Sequence, residues 1–190
     1  WTIDAGRYLG QLGSDSGLVT ILENLDLSGG LRNSSIYELK ATFSPGGLSG
    51  IAFDVVDTGT YKFAGINAAT SEVVIGHVVN NGPVSIDAST AVDIIAVEDY
   101  TLKVNLKGTT VSLELNGKPV LGYGYNSLLV DGQLGLVSDG SGSFDTVTIR
   151  SDDPAFRSDV ANNLPVAMND AIGTDQNTPI SIDALSNDSD

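Results

Sequence analysis

Residues 100–120 read Tyr-Thr-Leu-Lys-Val-Asn-Leu-Lys-Gly-Thr-Thr-Val-Ser-Leu-Glu-Leu-Asn-Gly-Lys-Pro-Val, and their alternation decides the fold. Leu102, Val104 and Leu106 alternate with Thr101, Lys103 and Asn105, and Val111, Leu113 and Leu115 alternate with Ser112, Glu114 and Asn116. Side chains of a strand point to opposite faces in turn, so each segment presents one apolar and one polar face. Lys107-Gly108 and Asn116-Gly117 interrupt the pattern where tight turns belong, and Asn-Gly is a strong hairpin signal. The stretch therefore predicts consecutive antiparallel strands, half-exposed to water.

The same pattern extends outward in both directions. Tyr37, Leu39, Ala41 and Phe43 point inward from a strand over Ile36–Phe43, with Glu38, Lys40 and Thr42 outward. Further strands are expected over Gly50–Val56, Thr60–Asn67, Glu72–Val79 and Phe144–Arg150. A helical period is convincing nowhere; Ser89–Glu98 is the weak exception and reads equally as a strand. About twelve strands over roughly 150 residues make an all-β, antiparallel two-sheet sandwich.

Composition narrows the function classes. The 190 residues carry 9 basic and 24 acidic side chains, a formal charge of −15. Such a surface repels nucleic acid and anionic lipid and attracts divalent cations, Ca²⁺ above all where oxygen ligands abound. The absence of Cys excludes a disulfide scaffold and thiol chemistry. Apolar runs are strand-sized, too short to span a membrane. Residue 1 is Trp and the single methionine is Met168, so the chain is expected to be a fragment whose targeting signal lies elsewhere.

The character changes after Arg150. Residues 151–163 read as a linker, with Asp153-Pro154 as a turn, and 164–190 as an extended C-terminal segment, the truncated start of a second domain.

Residues 1–150 resemble the concanavalin-A-like, laminin-G-like jelly-roll domains of bacterial extracellular proteins. The likeness is carried by Trp-Thr-Ile-Asp-Ala-Gly-Arg-Tyr at 1–8, Ile-Tyr-Glu-Leu-Lys-Ala at 36–41 and Gly-Ile-Ala-Phe-Asp at 50–54, together with the hairpins of 100–120. Gly-Gln-Leu-Gly-Leu-Val-Ser at 132–138 and Ser-Phe-Asp-Thr-Val-Thr-Ile at 143–149 complete it. Residues 164–190 resemble the opening of a bacterial cadherin-like or immunoglobulin-like repeat, with Pro-Val-Ala-Met-Asn-Asp at 165–170 and Leu185, Asn187, Asp188 and Asp190. The pairing implies a secreted, cell-surface adhesin, expected to be monomeric in this fragment and to adjoin further repeats of the same chain. In such jelly rolls the Asp that follows the Phe of the last strand helps to hold a structural Ca²⁺. That position is Asp145, with Glu23, Asp15 and Asp139 as candidate companions that no motif fixes.

A sugar site needs aromatic faces and planar polar groups. Tyr61, Tyr123 and Tyr125 lie near loops, and Tyr123-Gly124-Tyr125 puts two rings on one face if extended; the plainer reading makes them core edges. His77, between Gly76 and Val78, reads as structural. Glu38, Lys40, Asp54, Lys62, Lys103 and Glu114 form either a binding face or cross-strand charge pairs, with pairing favoured. No Glu-x-Asp-x-x-Glu strand is present; Asp93, Glu98 and Asp99 have the wrong spacing, and there is no nucleophile elbow or phosphate loop. The sequence thus predicts a calcium-stabilised, non-catalytic binding module for a glycan or another surface ligand. A ligand-free spacer in an adhesin stalk and a polysaccharide-active enzyme are the alternatives.

Overall fold

The computed structural model describes residues 2–10, 19–21, 34–95, 98–130, 132–139 and 142–153. All lie within the unit Trp1–Phe156. The chain passes through β1 (Thr2–Asp4), β2 (Arg7–Leu9), β3 (Val19–Ile21), β4 (Ile36–Ser44), β5 (Leu48–Asp57), β6 (Thr60–Asn67) and β7 (Glu72–Val78). It continues through β8 (Ser85–Ala91), β9 (Tyr100–Lys107), β10 (Thr110–Leu115), β11 (Lys118–Gly124), β12 (Gln133–Ser138) and β13 (Ser143–Ser151). No helix occurs among the described residues, and none there crosses a membrane. Ser89–Glu98 supplies the end of β8, and Val92–Ile95 carry no regular structure.

The strands form two antiparallel sheets packed as a jelly-roll sandwich. A seven-stranded sheet has the order β1-β2-β13-β4-β9-β10-β11, and a six-stranded sheet the order β3-β12-β5-β6-β7-β8. In the seven-stranded sheet Tyr37, Leu39, Ala41, Phe43, Leu102, Val104, Leu106, Val111, Leu113 and Leu115 are buried in the central core. The opposite face is wet and charged. There Lys103 Nζ lies 2.7 Å from Glu114 and 3.7 Å from Glu38, across three neighbouring strands. The β10–β11 turn places Asn116 at φ 49° and Gly117 at φ 78°, the paired left-handed geometry that an Asn-Gly hairpin supplies.

The central strands of the six-stranded sheet are buried on both faces. Ile51, Phe53, Ala64, Ile66, Val73, Ile75, Leu134 and Leu136 join the central core, while Ala52, Phe63, Val74 and Val137 belong to a second cluster. Consecutive residues fall in alternate clusters, as a strand covered on both sides requires. Gly76 has no side chain because Phe63 lies there: a Cβ would sit 2.7 Å from Phe63 Cζ.

Pairing is irregular at three informative places. β5 loses register between Phe53 and Asp57, β13 between Phe144 and Thr146, and β8 between Ile86 and Ala88. Such bulges re-aim a side chain that regular alternation would direct elsewhere. The re-aimed residues include Asp54, Asp145 and Asp87.

Ser151 ends β13, and Asp153 is only 1% exposed. Its Oδ2 accepts hydrogen bonds from Ser35 Oγ at 2.7 Å and from the Tyr37 hydroxyl at 3.2 Å. Burial first, then the Asp153 charge and hydrogen bond, push the Tyr37 hydroxyl up to about 12, against opposing hydrogen bonds from Ser151 and Ser35. Residues 151–153, read from sequence as the start of a linker, are thus tied into the sandwich. The remainder of that linker and the repeat-like segment 164–190 lie outside the described residues.

Candidate functional site

β11 and β8 are edge strands on the same side of the two sheets and approach one another. Between them is an open cavity of about 370 Å³, walled by β5, β6, β7, β8 and β11 and by residues 125–127. The volume falls in the range of small-molecule sites.

The floor comes from the inner face of the six-stranded sheet. Phe53, Lys62, His77 and Ser85 are register partners across four strands. Lys62 is two residues from Ala64 and His77 two from Ile75, both core residues, so the pleat turns Lys62 and His77 towards the other sheet. They extend the apolar core into a polar end. Asp54 has φ 49°, and a Cβ on Gly132 would come within 2.6 Å of its Cα, so glycine there permits the bulge. The Asp54 carboxylate forms an ion pair with Lys62.

The roof comes from the seven-stranded sheet. Tyr123 and Tyr125 lie on one side of the extended chain, their rings 4.8 Å apart and nearly perpendicular. The Tyr125 hydroxyl donates to Asp87 Oδ2 at 2.7 Å, and His77 Nδ1 lies 2.9 Å from the same oxygen. Lys62 Nζ sits 5.2 Å from the centre of the Tyr125 ring, in cation–π contact. Burial, and after it the acceptance of its hydrogen by Asp87, raise the Tyr125 hydroxyl far above the ordinary tyrosine range. It is a hydrogen-bond donor at any physiological pH.

All three sequence-predicted tyrosines line this cavity. They differ in what they offer. Tyr61 is 3% exposed and packs with Phe63, Val74 and Val78 in the second cluster, where burial raises its hydroxyl pKa. Tyr123 and Tyr125 are half-buried. Of the outward polar set, Glu38, Lys103 and Glu114 pair on the wet face, whereas Asp54 and Lys62 belong to the cavity. His77, read as structural, lines the cavity wall, and Asp87 is a member that the sequence reading did not single out. Both parities of β6 and β7 are largely apolar, so alternation alone did not reveal which polar residues faced inward, and a bulge hid Asp87.

Of the expected calcium ligands, Asp145 and Asp139 are among the described residues. Asp145 is exposed at its bulge, and its charge adds to the larger effect of Asp99, which raises the pKa of Arg7 against the opposing effect of burial. Asp139 Oδ1 accepts from Leu48 N at 2.6 Å. Glu23 and Asp15 lie outside the described residues. Among the described residues no three acidic or histidine side chains converge as a metal shell needs.

No protein-family model matches this chain, and no curated protein sequence matches it. Solved structures are similar in fold. The carbohydrate-binding module CBM66 from Bacillus subtilis has 23% identity and a TM-score of 0.53, over 62% of this chain and 75% of that one. The galectin LEC-6 of Caenorhabditis elegans has 11% identity and a TM-score of 0.51, over 78% of this chain and 99% of that one. A. japonicus CB05 has 14% identity and a TM-score of 0.56, over 75% of this chain but only 25% of that larger chain.

Proposed function

We propose that this domain is a non-catalytic glycan-binding module and that the sugar sits in the cavity between β11 and the β6–β8 wall. The observation that carries the reading is the convergence of Tyr123, Tyr125, Lys62, Asp54, His77 and Asp87 on one open cavity of about 370 Å³. Aromatic rings beside fixed charged groups match the two surfaces of a sugar, its C–H face and its hydroxyl edge. Lys62 covers the ring of Tyr125, so Tyr123 is the stacking ring and Tyr125 acts through its hydroxyl. The likeness of fold to a carbohydrate-binding module and a galectin supports the same reading as an analogy.

Binding is favoured over hydrolysis because both carboxylates accept from fixed donors: Asp54 from Lys62, and Asp87 from the Tyr125 hydroxyl. Glycoside hydrolysis needs one carboxyl that delivers a proton to the leaving oxygen. This arrangement orders hydroxyls and supplies no such acid. The proposal also keeps the domain at a bacterial cell surface as the ligand-binding part of an adhesin stabilised by Ca²⁺, on the resemblances of 1–150 and 164–190. Calcium is a separable element, with its own test below.

The test is binding to a panel of immobilised neutral and acidic polysaccharides at neutral pH. Retention that drops by about tenfold or more with Tyr123→Ala, equivalent to roughly 1.4 kcal/mol, supports the reading. Lys40→Ala, on the wet face of the seven-stranded sheet, leaves retention unchanged. A protein that retains no polysaccharide is a spacer.

A further inference from the structure

We infer that His77 meets the ligand as a hydrogen-bond acceptor, so that the cavity selects a neutral, hydroxyl-donating sugar and holds it less tightly once the imidazole is protonated. The inference rests on the glycan-binding reading above and adds the ligand class and a control by pH.

The argument starts at Asp87. Its Oδ2 lies 2.9 Å from His77 Nδ1. An ionised carboxylate only accepts, so the hydrogen of a neutral His77 ring resides on Nδ1 and Nε2 keeps its lone pair. The side chain is 34% exposed and lines the cavity, and that lone pair is assigned to the ligand.

The surroundings are rich in acceptors. Asp54 from β5 and Asp87 from β8 accept only, and Tyr125 has already given its hydrogen to Asp87. Lys62, the register partner of His77 on β6, is the one lysine or arginine among the described residues lining the cavity, and it is held by Asp54 and the face of Tyr125. Tyr123 contributes a ring from β11. Thr60, Asn126, Ser127 and the Tyr123 hydroxyl can donate or accept, so what selects is charge: two carboxylates face one ammonium. Sugar hydroxyls suit such a site; uronate or sulfate groups bring like charge against Asp54 and Asp87.

Protonation reverses His77 locally. Nε2 becomes a donor facing the hydroxyl that had donated to it, while Nδ1–H keeps its bond to Asp87. Imidazoles change charge between about pH 5 and 8, within the range of natural surface environments.

The chain contains a single histidine, so the ring is observable without an assignment problem. The first arm measures the ¹⁵N shifts of His77 in the free protein at neutral pH: the Nδ1–H tautomer is expected, and a dominant Nε2–H tautomer overturns the inference. The second arm follows the best-retained neutral polysaccharide from pH 7.5 to pH 5.0. Wild-type affinity falls roughly fivefold or more, as the loss of one hydrogen bond implies, while His77→Gln, whose amide oxygen accepts at every pH, gives a flat profile. A flat wild-type profile, or polygalacturonate bound as well as the neutral chain, overturns the inference and leaves glycan binding standing. Absence of polysaccharide binding at every pH removes the underlying reading as well. Should His77→Gln not fold, the tautomer and the wild-type profile decide.

Discussion

Asp87 Oδ2 accepts the hydroxyl hydrogen of Tyr125 at 2.7 Å, and this bond joins an edge strand of one sheet to the chain leaving an edge strand of the other. Asp87 reaches across because its strand bulges between Ile86 and Ala88. A charged, partly buried hydrogen bond of this kind contributes about 1.5–3 kcal/mol. Tyr125→Phe removes it while keeping the ring under Lys62. Urea unfolding of this variant should show a loss of about 1–2 kcal/mol with an unchanged denaturant slope.

At the far end of the chain described here, Asp153 is the shared acceptor of Ser35 and Tyr37. Asp153→Ala strips that acceptor from two hydroxyls inside the fold. The expected cost is about 2–4 kcal/mol, since both donors lose a charged partner. Thermal unfolding measures it, and a change within about 0.5 kcal/mol would show that the folded body ends before residue 153.

Alkali should destabilise the domain in a defined window. The Tyr37 hydroxyl is raised from 10.0 to about 12, so the folded state holds this proton more tightly than the unfolded state. Its stabilisation is complete below pH 10 and is lost as pH rises towards about 12. Tyr125 is raised too and acts in the same direction. Stability measured between pH 9 and 12 should therefore fall, and fall less steeply for Tyr37→Phe.

Calcium is tested apart from sugar. Thermal unfolding with excess Ca²⁺ and with chelator, for wild type and Asp145→Ala, reads it directly. The resemblance implies a rise of about 2.7 kcal/mol at a hundredfold excess over Kd, absent in the variant. No response in the wild type removes calcium from the account. A response that survives Asp145→Ala moves the site away from Asp145.

Much of the fold was legible because alternation is a local property. The strands expected over Ile36–Phe43, Thr60–Asn67 and Thr110–Leu115 are found at Ile36–Ser44, Thr60–Asn67 and Thr110–Leu115. Asn116-Gly117 forms the turn its φ angles require. The cavity was only partly legible. Tyr123 and Tyr125 shared a face by simple i, i+2 spacing, and the structure keeps them together. Lys62 and Asp54 looked like surface charges because β5 and β6 are apolar on both parities, which erases the distinction between inside and outside. Asp87 and Asp54 stand at bulges, and a bulge arises from pairing with another strand, which no local pattern encodes. His77 reads as structural from sequence alone because alternation does not show its partner Asp87 beside it.

The central claim is that the cavity itself holds the sugar. Titrating the isotope-labelled protein with the neutral polysaccharide fragment that it retains best tests this most directly. The account predicts the largest NMR shift changes at Lys62, His77, Asp87, Tyr123 and Tyr125, saturating with a single affinity that Tyr123→Ala weakens. Shifts centred on Glu38, Lys40 and Lys103 would contradict it, by placing the ligand on the wet face of the seven-stranded sheet.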